Sequence, residues 1–350
     1  SADAIADAVL GRVTDRTRLF LIDHVTSQTA VIMPVERLVS ELDRRGIDTL
    51  VDGAHAPGMI PLDLGRLGAA YYTGNLHKWV CAPKGSAFLY VRANRRYGVH
   101  PTSISHGANS MRTDRSRYLL EFDWTGTFDP TAWLCVPESI RFMESLVEGG
   151  WPEVMRRNHE MAIRGRDILA AALKVDPPVP DQMLGSMAAL PLPDGTATAA
   201  PALYGDPLQD DLLEKDRIEV PIVPWPRPPK RLIRISAQLY NEERDYEKLA
   251  EVLSRKVRPC GDPRRKLRVW GGGGHPGAPR SVGEGEVVLG TFGVSPTSPG
   301  RVASTHTPRK RAERVLDAAQ GRTVFLPRIS GGRAPWAGWR RGRAAPRPST

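Results

Sequence analysis

Two turns in this sequence carry side chains able to do covalent chemistry together. Val51-Asp52-Gly53-Ala54-His55-Ala56-Pro57-Gly58 ends one apolar run, and Thr73-Gly74-Asn75-Leu76-His77-Lys78-Trp79 ends the next. A primary amine forms a Schiff base with an aldehyde. A carboxylate 26 residues earlier, at the end of a neighbouring strand, can hold the ring nitrogen of an aromatic aldehyde protonated, so that the ring accepts electrons. Lys78 is the amine of this pair and Asp52 the carboxylate. The hydroxyl of Thr73 and the imidazole of His77 are the donor types that a phosphate on such a cofactor needs. Together these requirements describe pyridoxal 5'-phosphate.

The pair works only if the two strand ends meet at one edge. Leu19-Phe20-Leu21-Ile22 reads as a buried parallel strand, followed by a helix whose Val35, Leu38, Val39 and Leu42 fall on one face. Pro34 and Gly46 punctuate that helix. Thr49-Leu50-Val51, Ala69-Ala70-Tyr71-Tyr72 and Ala87-Phe88-Leu89-Tyr90-Val91 are the next strands, the last of them suited to antiparallel pairing. Strand–helix–strand order with short connections predicts an α/β fold with a largely parallel sheet, whose carboxyl edge is where ligands bind.

Downstream, residues 93–128 are polar and loop-rich. Helices are expected over 130–146, with Trp133, Val136, Ile140, Met143 and Leu146 as its apolar stripe, and over 153–173. Short strands are expected at 187–190, 218–220 and 232–235, and a closing helix over 241–253 with Asn241 as its N-cap. This predicts residues 1–128 as part of a large cofactor-binding domain and 129–255 as a linking helix and smaller α+β domain. Residues 256–350 read as a disordered basic tail: Gly and Pro supply 27 of these 95 residues, and no periodicity persists.

Charge follows the same division. Residues 256–350 hold 19 Lys and Arg against 5 Asp and Glu, a net of +14. The first 255 residues are left at −4 within a chain total of +10. A nucleic-acid partner is therefore expected only through the tail, and that tail also fits the read-through of GC-rich sequence in a wrong frame. Three cysteines without paired spacing fit a reducing cytoplasm and neither a disulfide framework nor a metal site. No apolar run reaches the roughly 20 residues that span a bilayer. The acidic start, Ser1-Ala2-Asp3-Ala4, reads as the inside of a helix and not as a signal peptide.

IDHVTSQTA at 22–30, LVDGAHAPG at 50–58 and YYTGNLHKWVCAPKG at 71–85 resemble the core motifs of the class V aminotransferase family of fold-type I pyridoxal phosphate enzymes. DGAHAPG at 52–58, TGNLHKW at 73–79 and WTGTFDPTAWLCVPESI at 124–140 look most like its isopenicillin N epimerase-like branch, and LIRISAQLYNEERDYEKLAEVL at 232–253 resembles the family's C-terminal motif. The resemblance covers residues 1–255. It implies the pyridoxal phosphate-dependent transferase fold, Lys78 as the cofactor lysine and Asp52 as partner of the ring nitrogen. His55 falls near the cofactor's phenolic oxygen, and Thr73, His77 and Asn75 at its phosphate.

By the same resemblance, Thr127 reaches the phosphate of a neighbouring subunit, which implies a homodimer. Arg234 holds the α-carboxylate of an amino-acid substrate, and Ser27, among the cofactor-binding candidates, stands where many relatives have asparagine. His106, beside Gly107, reads either as a residue lining the substrate pocket or as an ordinary loop histidine. Relatives also carry a segment upstream of the first strand that supplies a phosphate loop and a ring-stacking side chain, so the chain reads as truncated at its N-terminus. The expected activity is epimerisation at the α-carbon, with aminotransferase or lyase chemistry, or a catalytically incomplete remnant, as alternatives. Desulfuration is disfavoured, because no cysteine lies in the loop-rich stretch. Among the remaining residues, His24 reads as a hydrogen-bonded loop histidine, Asp23 and Asp63 as caps, Trp79 as core packing, and Cys81 and Cys135 as small buried hydrophobes.

Overall fold

The computed structural model describes residues 1–195 and 205–257. The expected basic tail lies outside the described residues from residue 258 onward, and Cys260 with it. Helix α1 (Ala2–Leu10) opens the chain, its N-terminus capped by the Ser1 side chain. Strand β1 (Leu19–Asp23), helix α2 (Val35–Arg44), strand β2 (Asp48–Asp52), the one-turn α3 (Leu64–Leu67), β3 (Tyr71–Asn75) and β4 (Ala87–Val91) follow. They build a four-stranded sheet in the order β1-β2-β3-β4, parallel except for β4, which pairs antiparallel with β3 as expected.

One face of this sheet is dry. The α2 stripe of Val35, Leu38, Val39 and Leu42 is buried, packed with Ala6 and Val9 of α1 against Ile22, Val51 and Tyr72. The opposite face differs from expectation. Leu19 and Leu21 are about half exposed, so β1 is not the fully buried strand that its continuous apolar run suggested. Alternate residues of a strand point to opposite faces, and the face carrying Leu19, Leu21 and Leu89 is open among the described residues.

Between 92 and 146 lie α4 (Arg117–Phe122), α5 (Thr131–Leu134) and α6 (Val136–Ser145). The single helix expected over 130–146 is broken at Cys135, because Pro137 in the first turn of α6 has no N–H for a helix running through it. The expected stripe is also not a core face: Trp133, Ile140 and Leu146 are exposed, and only Met143 is buried. Cys135 is accordingly half-buried at a helix junction.

Long α7 (Gly150–Leu173) leads to β5 (Met187–Leu192), short α8 (Pro207–Asp211), β6 (Ile222–Pro224), β7 (Arg231–Ser236) and α9 (Glu243–Lys256). Strands β5-β7-β6 form an antiparallel sheet, and α7 and α9 cover it through Leu169, Leu173, Leu249 and Leu253 against Leu190, Ile233 and Ile235. The strand expected at 218–220 is displaced to 222–224. Arg217 takes a left-handed conformation (φ 59°) that interrupts the chain, and Ile218 and Val220 pack on the core without joining the ladder. Asn241 is not the cap of the last helix. Glu242 and Asp245 make a capping box there, while Asn241 Oδ1 accepts from the Gln238 N–H at 3.0 Å and closes the preceding turn. No described helix is long and apolar enough to cross a membrane.

A third core cluster ties the two sheets together. Val25, Ala30, Met59 and Trp79 from the first half pack on Met187 and Ala189 of β5. This small apolar layer carries the Lys78 turn on one side and β7 on the other.

Candidate active site

Register places the polar groups. Asp23, Asp52 and Thr73 are neighbours across β1, β2 and β3, on the same face at the carboxyl edge of the parallel strands. Asn75 is two residues beyond Thr73 and shares that face. Asp52 is exposed, and its Oδ1 accepts from the Ala54 N–H at 2.9 Å, which fixes the carboxylate over the turn. His77 bonds through Nδ1 to the Ser86 carbonyl at 3.0 Å. A carbonyl only accepts, so Nδ1 carries the proton and the ring meets any ligand through Nε2.

Lys78 is half-buried, with Nζ 3.1 Å from His55 Nε2. Trp79 lies next to it, and its indole N–H donates to His55 Nδ1 at 3.4 Å. Because an indole nitrogen can only donate, Nδ1 of His55 is the acceptor, and in the neutral ring Nε2 bears the hydrogen. Nε2 then donates to Lys78, which requires an amine with a free lone pair. Electrostatics agree. Burial is the largest cause that holds His55 down to about 3, and Arg234 acts in the same sense. The Lys78 amine is lowered from its usual value by burial, which outweighs the pull of Asp52, with Arg234 acting in the same sense as burial. Sequence reasoning read Trp79 as packing alone. It is core, and it also sets the tautomer that keeps the lysine nucleophilic.

Arg234 comes from the central strand of the other sheet. Its Nη1 donates to Ser27, to the backbone oxygen and at 3.2 Å to Oγ, a tether across the whole described fold. Ser27 is thus a positioning residue for Arg234. A cavity of about 370 Å³ opens between the two sheets, lined by Lys78, His55 and Trp79 on one side and by Arg234, Gln238 and Tyr240 on the other.

Asp52, Thr73, Asn75 and His77 lie at or just past the sheet edge and are not among the residues that line this cavity, and two further expected residues stay apart from both. His106 is exposed in a short 3-10 turn and does not line this cavity, and Thr127 is exposed in a loop beyond Gly126 (φ +136°). Cys81 corrects a further expectation. It is exposed, lines the cavity and adopts φ 58° at the turn after Lys78, because Val80 and Ala82 take the buried positions beside it. Asp63 caps α3 as expected. Asp23 does not cap anything. Burial and the neighbouring Asp52 raise its carboxyl above the ordinary value, with Lys78 opposing. Its position in phase with Asp52 was the signal available in the sequence.

Beneath this edge, His24 Nδ1 lies 2.8 Å from Tyr72 Oη, both groups buried. Burial lowers His24 to about 4, so it is neutral in the fold. In the unfolded chain both His24 and His55 titrate near 6.5. Below that pH the unfolded state binds more protons, so stability falls as pH drops toward 4, by about 1.4 kcal/mol per pH unit for each histidine. Urea midpoints at pH 7 and pH 5 measure this. His24→Asn is expected to flatten the acid loss, and an unchanged slope would refute the assignment.

Among the described residues no group of His, Cys, Asp and Glu is placed to hold a metal. The donor set instead fits an aldehyde cofactor with an anionic arm: an amine held neutral, a carboxylate on the same sheet edge, and hydroxyl, amide and imidazole groups at Thr73, Asn75 and His77.

Comparison with known proteins agrees with this chemistry. The family model described as aminotransferase class-V matches residues 4–198. The chain is 36% identical over 264 residues to isopenicillin N epimerase of Amycolatopsis lactamdurans, covering 72% of this chain and 63% of that protein. It is also 36% identical over 258 residues to a probable chloroplastic L-cysteine desulfhydrase of Arabidopsis thaliana, covering 69% and 52%. The chain thus spans between half and two thirds of the length of these relatives. Among solved structures, a complex of the cystine C-S lyase C-DES with cysteine persulfide superposes with a TM-score of 0.56 at 20% identity, covering 73% of this chain and 66% of that one. An apo cysteine desulfurase of Thermococcus onnurineus gives 0.53 at 19% identity, covering 69% and 60%. At these identities the likeness establishes the fold.

Proposed function

The chain belongs to the aminotransferase class-V family, and from that premise we propose that it is a pyridoxal 5'-phosphate-dependent enzyme acting at the α-carbon of an amino-acid substrate. The observation that carries this reading is the hydrogen-bond order Trp79 to His55 to Lys78, which demands a neutral lysine amine facing Arg234 across one cavity. When bound, the cofactor supplies an aldehyde for that amine and a protonated ring that takes up the electron pair left at the α-carbon. Asp52 holds the ring nitrogen protonated. Thr73, Asn75 and His77 receive the phosphate, and Arg234 takes the substrate carboxylate in its guanidinium fork. Lys78 would be the base that removes the α-proton.

The outcome we favour is epimerisation, supported by the relative named isopenicillin N epimerase. His55 is bonded to Lys78 itself and so shares its side of the cavity, which argues against His55 as the base for the second face. A C–S lyase reading is supported by the relatives named cysteine desulfhydrase. Turnover of the cofactor-loaded protein in deuterated water separates the two. Epimerisation gives deuterium at an inverted α-carbon with no keto acid, and elimination gives sulfide from L-cysteine. Formation of neither product, together with no keto acid from transamination, would overturn α-carbon chemistry for this chain. The exposed Thr127 supports a homodimer in which that loop serves the neighbouring subunit's phosphate. The unpaired cysteines support a cytoplasmic setting.

A further inference from the structure

The peptide that joins Asp52 to Gly53 is held from both sides. Its carbonyl accepts from the His24 N–H at 2.7 Å, and its N–H donates to the Thr73 carbonyl at 2.8 Å. Such bonds fix a peptide within the plane of the sheet and leave it free to shift perpendicular to that plane. Gly53 has no side chain to pack in that direction. The ring of Tyr72 takes the place instead: a Cβ on Gly53 would meet its Cε1, Cζ and Oη at 2.1–2.2 Å.

The ring is itself anchored. Tyr72 is fully buried and stacked on Phe88. His24 meets it edge-on, with ring centroids 5.9 Å apart and planes at 81°, and His24 Nδ1 lies 2.8 Å from Tyr72 Oη. His24 therefore grips the Asp52 peptide twice, directly through its backbone N–H and indirectly through the tyrosine that its imidazole holds. The two rings are uncharged in the fold. Burial lowers His24 to about 4; burial also raises the Tyr72 phenol above its ordinary value, and the Asp52 charge acts in the same sense. The α-carbon chemistry described above uses neither group.

Resting on that α-carbon reading, we propose that His24 and Tyr72 are positioning residues for the Asp52 carboxylate. Tyr72 pairs with Val51 on the α2 side of the sheet, the face opposite to Asp52 and Thr73, so its action passes through the backbone. The phenol ring supports Gly53 from the core side, and the imidazole fixes the ring. Asp52 is exposed, and its Oδ1 is committed to the Ala54 N–H. The aim of its second oxygen at the cofactor's ring nitrogen is thus set by where this peptide lies.

Two probes on the full chain test this: pyridoxal 5'-phosphate and its 1-deaza analogue, in which carbon replaces the ring nitrogen. Both offer an aldehyde to Lys78 and a phosphate to its donors, and only the first can bond to Asp52. The ratio of their dissociation constants, from absorbance titrations, reports on Asp52 and requires no turnover. Asp52→Ala is the reference and should bring the ratio close to one. Tyr72→Phe keeps the stacked ring and loses the hydroxyl. It is expected to lower the ratio about tenfold while affinity for the deaza analogue stays unchanged. His24→Leu should do the same, whereas His24→Asn, whose amide stands near the place of Nδ1, should retain most of the ratio. In the Asp52→Ala background, Tyr72→Phe should move the ratio no further.

A role confined to packing weakens both probes alike. Equal loss for the two, or an unchanged ratio, in Tyr72→Phe therefore overturns the proposal, and this variant decides even where His24→Leu does not fold. A ratio near one in the unsubstituted chain, with the Lys78-dependent band present, also overturns it, because Asp52 then makes no bond to be aimed. Absence of that band with both probes removes instead the α-carbon reading on which the proposal rests.

Discussion

Lys78→Ala is expected to abolish the near-visible absorbance that the purified chain acquires with pyridoxal phosphate, and to lower turnover by at least about a thousandfold. The size follows from two duties on one nitrogen. In the proposed site the Lys78 amine would be both the attachment point for the aldehyde and the base at the α-carbon, so no neighbour replaces both. His55 cannot substitute: burial, with Arg234 acting in the same sense, holds its basicity below the ordinary imidazole range, and its Nδ1 is committed to Trp79. The spectrum and the rate must fall together. A band that survives in Lys78→Ala would place the attachment elsewhere and refute the proposed site.

Gly53→Ala is expected to cost about 1–3 kcal/mol or more of stability and to weaken cofactor binding at the same time. A Cβ built on Gly53 would lie 2.1–2.2 Å from the ring and hydroxyl atoms of Tyr72, far inside any tolerable contact. Such a clash is cheap when the neighbour is a loose side-chain end. Tyr72 is not loose. It is fully buried, stacked on Phe88 with ring planes 6° apart and bonded to His24. Relief must therefore come from the backbone next to Asp52, which is tied to β3 by the bond from the Gly53 N–H to the Thr73 carbonyl. Thermal unfolding should show a midpoint lowered by roughly 3–10 °C. A cofactor titration of the variant should show reduced affinity even where it remains folded. Unchanged midpoint and affinity in Gly53→Ala would mean that Tyr72 gives way freely.

The parallel sheet, the α2 stripe and the meeting of Asp52 with Thr73 at one edge were legible in local pattern, because strand period and helix period are properties of neighbouring residues. Illegible were the features that depend on what lies across a gap. Leu19 and Leu21 read as buried because four apolar residues stand in a row, yet only alternate ones face α2. The stripe of Trp133 and Ile140 had the right period and no core to enter. Cys81 read as a small hydrophobe, although its exposure follows from a left-handed turn that composition does not announce.

For the proposed site, residue types and spacing by themselves pointed to Lys78 as the amine, Asp52 as the carboxylate and Thr73 and His77 as phosphate donors, because covalent chemistry with an aldehyde cofactor restricts which groups can serve. Only the tertiary structure decided the state of those groups. The lowered basicity of Lys78 comes from its burial beside His55, which an indole packed in one cluster with Met187 holds in place, and the Arg234 tether joins residues 207 positions apart. Gln238, in the cavity wall, is held by Asn158 of a helix 80 residues away in sequence. Protonation and pocket shape are set by burial and by hydrogen bonds between distant segments, and those exist only once the chain has folded.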